Sequence, residues 1–546
     1  MRKLFTIIAA VCTAGSVFAG GLVTNTNQSS LYTRLQSRNA STLIDAVYYN
    51  PAGVTRLGSG IFLSLNNQSV WQTTTVLNDY TYLAGKPREY TGKVKAPLFP
   101  GIYAAANLGK LSVSAGVNPI GGGGGAKYET GLPSFEMPIS DLVPLLASQK
   151  IPATQYAADI YFEGTSVYMG YQVNVAYKLN DIISAGVGLR VVSAKNTYKG
   201  NLLNISINPN FEKFGEEFKG SMVKARTFFT AGETFFNSNS ALFTGTASKL
   251  QPIITGGGGS LPLAQGANVG MKPEDIQGIQ ALLAAIGLPA DEIAAIDIQS
   301  AQGYLNTAGE DFLEKAGAMR EYAGATADRY VDAAQTGTGY SPILSLNISP
   351  VSNLNIGIKY EFKTKLNLLT KVYDGKGGGV FTDRDTTIAD MPAMLAAGFE
   401  FRPIETFMVT GSANIYFDKK VDYDGSKTKD IKMIDKNFTE YALGVELGLT
   451  PWLKVSGGWL GTFTGVNSDY QNDQRFSLNT NSVGAGLGIK LAPMVSLNVG
   501  GQYTTYKEGS KNFNHMLGQI PVPVTEKYNK NTMVIGAGLD FHFGLK

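Results

Sequence analysis

Acid–base, nucleophilic and metal chemistry draw mainly on histidine, cysteine and paired carboxylates, and this chain is poor in the first two. It carries two histidines, His515 and His542, far apart in sequence, and one cysteine, Cys12, close to its start. Two distant imidazoles make no His-rich metal cluster. Neither histidine has a recognisable Ser or Asp motif around it that would set a nucleophile beside a base. His542 falls in the last alternating segment and reads as a polar residue facing inward. Asp383 and Asp385 share a loop; they can bind a cation weakly, and a solvated acidic loop is the simpler reading. The glycine run 121–125 is no phosphate loop, because no Lys-Ser/Thr follows it and no α/β unit surrounds it. No catalytic constellation emerges, so the expectation is a protein that is not an enzyme, with no metal and no cofactor.

The elements that must carry any other function are legible from the first residues onward. MRKLFTIIAAVCTAGSVFAG has Arg2 and Lys3 ahead of an apolar core, then Val17-Phe18-Ala19. This is the pattern of a secretory signal peptide, expected over residues 1–19, and it takes Cys12 with it. The remainder has no cysteine for disulfides or thiolate sites, and 44 basic residues against 43 acidic. That balance gives no footprint for nucleic acid. Charged residues are 16% of the chain and glycines number 64, against about 25% and about 7% in ordinary soluble domains. No apolar run past the signal reaches the roughly 18 residues of a membrane helix. Export, low charge, abundant glycine and tyrosine, and no membrane helix together point to a transmembrane β-barrel in a Gram-negative outer membrane.

Period-two alternation supports that expectation. Val167, Met169, Tyr171, Val173, Val175 and Tyr177 form one face against Gln172 and Asn174. Met533, Ile535, Ala537, Leu539, Phe541 and Phe543 oppose Gly536, Gly538, Asp540 and His542. Such segments recur near 60–76, 97–107, 111–119, 162–178, 182–199, 338–348, 353–371, 391–402, 406–421, 438–449, 453–466, 480–491, 494–507 and 531–544. The predicted architecture is an all-β, antiparallel barrel of about 14 strands over residues 59–546. Tight joints at 107–110, 178–181, 349–352, 402–405, 450–452 and 492–494, four of them with proline, put the short turns at one end and the long loops at the other.

Two stretches stand outside this pattern. Residues 20–58 are too many for a loose tail and too few for a domain, and are expected to fold inward as a plug. Residues 200–337 are longer than a structureless loop should be. Helices are predicted there at 273–286, where Pro273 and two acids make a start signal, at 291–302 and within 308–335. The stripe Ile276, Ile279, Leu283 and Ile286 either packs against neighbouring helices or presents an apolar groove outside the barrel. A second glycine run at 256–259 reads as a linker. The third strand weakens after Val117, where Pro119 cannot donate to a ladder and glycines pack nothing. A wall that stops pairing there can open sideways; the other reading is a flexible loop.

The chain resembles the FadL family of outer-membrane transporters of hydrophobic compounds. The resemblance rests on Tyr49-Asn50-Pro51-Ala52-Gly53 between the signal and the first strand, on the fourteen strands, and on strand-turn-strand stretches such as ILSLNISP running into LNIGIKY at 343–360 and AGFEFRP at 397–403. It implies that residues 20–58 are a hatch inside the lumen, with Asn50, Pro51 and Ala52 at its base. It further implies passive diffusion of long-chain fatty acids or other hydrophobic small molecules through a hatch-gated barrel. Exit would be lateral, at a kink in the third strand, for which Gly116, Pro119 and Gly121 are the candidates. The expected surroundings are outer-membrane lipid and lipopolysaccharide, and the expected state is a monomer. The long loop is larger than the family norm, and the family's basic residues for a fatty-acid carboxylate have no clear match. Arg190 and Lys359 face the lumen by parity and are candidates; an ion pair with Glu361 or Glu446 is the alternative. A porin for small polar solutes and a surface adhesin using the helical loop are the competing functions.

Overall fold

The computed structural model describes residues 29–421 and 433–544. The predicted signal peptide lies outside the described residues. Alternation becomes a closed wall because one face of each strand is apolar and the other small or polar. Tyr171, Val173, Val175 and Tyr177 are exposed on the outside, whereas Gln172 and Asn174 are buried within.

Eighteen strand segments form one antiparallel sheet. Three are continuations of the strand before or after them and one is a two-residue ribbon, which leaves fourteen staves. They are β1 (Gly60–Asn78), β2 (Arg88–Leu108), β3 (Leu111–Tyr128), β4 (Tyr156–Lys178), β5 (Ile183–Ile207), β6 (Arg329–Val351) and β7 (Leu354–Glu361, then Asn367–Gly377). There follow β8 (Thr386–Ile388, then Met394–Ile404), β9 (Phe407–Tyr416), β10 (Phe438–Thr450), β11 (Leu453–Phe463), β12 (Thr480–Ala492), β13 (Val495–Tyr506, then Gly509–Leu517) and β14 (Ile520–Phe543). β1 pairs with β2 on one side and with β14 on the other, from Ile61↔Phe543 to Asn78↔Glu526, and so closes the barrel. Closure removes the sheet edges that lipid could not satisfy. The six tight joints gather at one end.

Several staves outrun their sequence expectation. β2 starts at Arg88 rather than near 97, β6 at Arg329 rather than near 338, and β14 at Ile520 rather than near 531. Beyond the apolar band the outward face turns polar, so the alternation fades while the ladder continues. β3 likewise runs through the glycine run to Tyr128 instead of ending near 119.

The long loop between β5 and β6 is a helical insert. Numbering helices along the chain, α1 (Ser30–Arg34) and α2 (Ala46–Tyr49) precede the barrel, and α3 (Pro133–Ser140) and α4 (Leu142–Ser148) join β3 to β4. The insert holds α5 (Ala225–Ile253), α6 (Pro273–Ala285), α7 (Ala290–Ala295) and α8 (Ile298–Ala325). α5 and α8 run antiparallel, with Phe229 stacked on Tyr322 at 5.0 Å and Phe243 against Phe312 at 5.2 Å. The helix expected at 291–302 is broken, because Asp297 caps a new one by accepting from the Ser300 amide at 2.6 Å. The helix expected within 308–335 ends at Ala325, and β6 begins four residues later. The glycine run expected as a linker forms a wide helical turn at 254–258, with Gly257 at φ 89°. No helix among the described residues is long and apolar enough to cross a membrane.

Candidate functional site: the plugged lumen and a break in its wall

Residues 29–58 fold inside the barrel, and their position is set by side chains of the inward rows. Arg34 reaches the wall with three bonds, to Glu446 at 2.6 Å, Ser456 at 2.7 Å and Asn498 at 3.1 Å. Ser30 bonds Asn66, and Thr55 bonds Ser184 at 2.8 Å. Arg38 is held within the segment itself by a bidentate pair with Asp45, at 2.7 and 2.8 Å. A short helix leaves its last carbonyls without partners, and for α2 the wall supplies them. Gln172 and Asn174 donate to the Val47 carbonyl, and Lys359 donates to that of Tyr48 at 2.9 Å.

The Asn50-Pro51-Ala52 turn follows α2 directly and opens the tight helical turn Pro51–Arg56. Asn50 Nδ2 donates to the Ser41 carbonyl at 3.1 Å and to Asn347 Oδ1 at 2.7 Å, while Asn50 Oδ1 is buried with no hydrogen-bond partner. Asn355 ties Asn347 to the Ala40 carbonyl. Asn50 thus bonds the wall at Asn347 of β6, and Asn355 of β7 braces that amide.

Arg190 and Lys359 converge on one carboxylate. Arg190 holds Glu361 through both terminal nitrogens, at 2.6 and 3.0 Å, and Lys359 holds the same group at 2.6 Å. Tyr48 of the plug lies against both cations, 4.8 Å from the Arg190 guanidinium and 4.7 Å from the Lys359 ammonium. All three charged side chains are buried. Of the two readings given for Arg190 and Lys359, a seat for a ligand carboxylate or an ion pair within the lumen, the geometry is that of the ion pair: Glu361 engages both and Tyr48 lies over them.

Next to the plug lies an apolar layer that includes Tyr103, Ile120, Tyr168, Val192, Leu366 and Met391, continuous with Val47, Tyr48 and Tyr49. At this level the wall is interrupted. β2 and β3 pair at Gly92↔Tyr128 and Lys93↔Lys127, then not again until Ile102↔Val117. β3 keeps its ladder to β4, with register shifts at Pro119/Gly121 and Gly121/Gly124. Alternation fails over the same residues, since Asn118, Pro119, Ile120 and Gly121 are buried in succession. β3 thus bends into the lumen. Pro97, Pro100 and Pro119 each remove an N–H that the missing ladder could otherwise leave without a partner. Gly122 has φ 92°, and a Cβ on it would overlap the Ser166 carbonyl. Gly116 sits just before the break, where a Cβ would lie 3.0 Å from the Tyr103 ring; Pro119 and Gly121 sit within it.

The other candidates lie elsewhere. Ile276, Ile279 and Leu283 are buried in the insert's own core with Leu250, Ile298 and Leu305, and Ile286 packs against that core. They present no groove, because α6 turns this stripe onto α8 and its neighbours. His542 stacks on Phe62 at 4.3 Å at the short-turn rim. His515 pairs with Asp141 at 2.7 Å at the opposite end. Asp383 and Asp385 accept backbone amides of Val372 and Thr386, and the described residues hold no cluster of three metal-binding side chains.

One feature escaped the sequence reading. Inward-facing glycines sit under the plug: a Cβ at Gly444 would strike Leu35, at Gly458 and Gly484 Gln36, at Gly486 and Gly500 Arg34, and at Gly536 Thr33. The signal was present, as glycine recurring on the polar rows, but what it makes room for is visible only in three dimensions.

A closed fourteen-stave barrel, filled by its own N-terminal segment and interrupted between β2 and β3, defines a plugged-barrel class of fold. No protein-family model and no curated protein matches the sequence. Among solved structures, a FadL homologue of Pseudomonas aeruginosa aligns over 96% of this chain and 100% of its own, with a TM-score of 0.55 at 12% identity. The Pseudomonas putida toluene transporter TodX aligns over 93% and 95%, with a TM-score of 0.48 at 12% identity. The Ralstonia pickettii toluene transporter TbuX gives 92%, 94%, 0.44 and 12%. At such identities the likeness is one of fold, and it extends over 96% of this chain and all of the FadL homologue.

Proposed function

We propose that this chain is a passive outer-membrane channel for hydrophobic small molecules, fatty acids among them, with residues 29–58 as its hatch. The observation that carries the reading is the coincidence of levels: the break between β2 and β3 opens where the apolar layer meets the plug. An apolar solute in that layer gains free energy by leaving into lipid rather than water, and the gap between β2 and the bent β3 is the place where no ladder bars its way. Gly116, Pro119 and Gly121 would shape the exit, and Asn50, Pro51 and Ala52 would hold the base of the hatch. The long-loop end, with the helical insert, would face outward and the tight turns the periplasm.

The test compares uptake of a fluorescent long-chain fatty acid by vesicles bearing the intact protein with uptake by vesicles bearing Asn50→Ala, Pro51→Ala, at equal insertion. The intact protein should speed uptake and the double variant should not. Passage of small sugars with no gain in fatty-acid uptake would favour a porin instead.

A further inference from the structure

Most charged groups inside this barrel are neutralised by a neighbour: Arg34 by Glu446, Arg38 by Asp45, Arg190 and Lys359 by Glu361. Lys530 is different. It belongs to the inward row of β14, with Tyr528 and Thr532 on either side, and is half-buried. Its ammonium stands 4.8 Å from the centre of the Phe476 ring and 5.7 Å from that of Tyr506. Among the described residues no carboxylate forms an ion pair with it, and its ammonium makes no hydrogen bond. The nearest acid on its own row, Glu526, is engaged by Asn78 at 2.8 Å and Tyr528 at 2.6 Å. The two rings offset part of the cost of holding an ammonium away from water, yet a desolvated charge is ordinarily paired.

The surroundings fit an amphiphile. Val76, Tyr90, Leu478 and Tyr528, with Phe476 and Tyr506 packed on them, form one apolar cluster, and the ammonium meets it at the Phe476 and Tyr506 rings. The site is also placed at the entrance. On the outside of β14 the exposed apolar row ends at Met533, and Asn531, Asn529 and Lys527 beyond it are polar. Lys530 therefore lies at the long-loop mouth, just past the level of the membrane band. A molecule coming from that side meets it before the apolar layer beside the plug.

We propose that Lys530 is the seat for the carboxylate of an amphipathic organic anion, with Phe476 and Tyr506 against the first part of its apolar chain. This rests on the channel reading and narrows it, from hydrophobic compounds at large to those with an acidic head. It moves head-group recognition from the Arg190–Lys359–Glu361 triad to the opposite side of the lumen.

Calorimetry on the full chain in nanodiscs of phosphatidylcholine, with empty discs as blank, tests it using decanoate and decan-1-ol. The two share a tail and differ in the charged head. The expected result is binding of decanoate at least about tenfold tighter than decanol, with the preference lost in Lys530→Met and kept in Lys530→Arg. A Met variant that keeps the preference, or equal binding of the two ligands by the unmodified chain, overturns the inference and leaves the channel reading intact. Binding of neither ligand overturns both. Heat-modifiable gel migration of each variant establishes that its barrel is folded.

Discussion

Gly500→Leu separates the plug from the wall. Gly500 faces inward on β13, and a Cβ there would lie 2.7 Å from the Arg34 amide nitrogen, 2.8 Å from Arg34 Cβ and 2.9 Å from Arg34 Cα. Two of these are backbone atoms and cannot rotate away, so the plug must retreat by roughly 1 Å to regain ordinary contact. The wall has no such conflict, because the residues opposite Gly500 on both flanking staves are Gly486 and Gly536. Retreat draws Arg34 off Glu446, Ser456 and Asn498. Breaking a buried pair of this kind costs about 3–5 kcal/mol, and that cost falls on plug docking, not on the barrel. Hydrogen exchange across residues 30–39 should then accelerate at least about 100-fold, since each 1.4 kcal/mol is tenfold. Conductance in planar bilayers should rise, and heat-modifiable migration should remain that of the unmodified barrel. Unchanged exchange over 30–39 in a correctly inserted variant would refute the reasoning, for it would mean that the glycines do not set the plug's position.

Glu361→Gln leaves Arg190 and Lys359 buried with no carboxylate and should lower stability by about 3–5 kcal/mol, read as a lower midpoint in thermal unfolding by circular dichroism. Removing residues 208–328 and joining the ends should leave a barrel that still assembles and migrates as folded, because Leu202 and Arg329 already face each other across β5 and β6; failure to assemble would show that the insert is part of the barrel's core. Burial pushes the Asp473 carboxyl above its ordinary value, against the lowering effect of the Ser134 bond. A raised value means the folded loop holds its proton more readily, so the stability it contributes is full below the ordinary carboxylate range and is lost as pH rises through the raised value. Limited proteolysis of the 464–479 loop should accordingly be slower at pH 4.5 than at pH 7.5, and Asp473→Asn should flatten the difference.

The wall was legible because lipid contact imposes period two on the outward face. One row such as Tyr171, Val173, Val175 and Tyr177 also fits a soluble sandwich; the recurrence of such runs at all fourteen staves is what marks the barrel. What the alternation could not report was pairing beyond the membrane band, as at the start of β2, or a ladder that continues through glycines, as in β3. α5 was missed because its Phe pairs and the run Asn237-Ser238-Asn239-Ser240 carry neither a helix start signal nor a clean stripe. The stripe on α6 was seen, but a stripe states only that a face is covered; here the cover is α8. Parity placed Arg190 and Lys359 in the lumen and named Glu361 as one possible partner. Tyr48 over both cations depends on how residues 29–58 fold back, and no local pattern encodes that.

The fit of plug to wall limits what can be exchanged between related barrels. At least six wall positions on five staves, from Gly444 to Gly536, are empty because side chains of residues 33–36 fill the space. A hatch of another sequence would arrive with different bulk in different places and meet either a gap or a collision. The inherited unit is thus neither the N-terminal segment nor the barrel alone but the matched pair. A chimera that swaps one without the other should fail even where every strand is compatible.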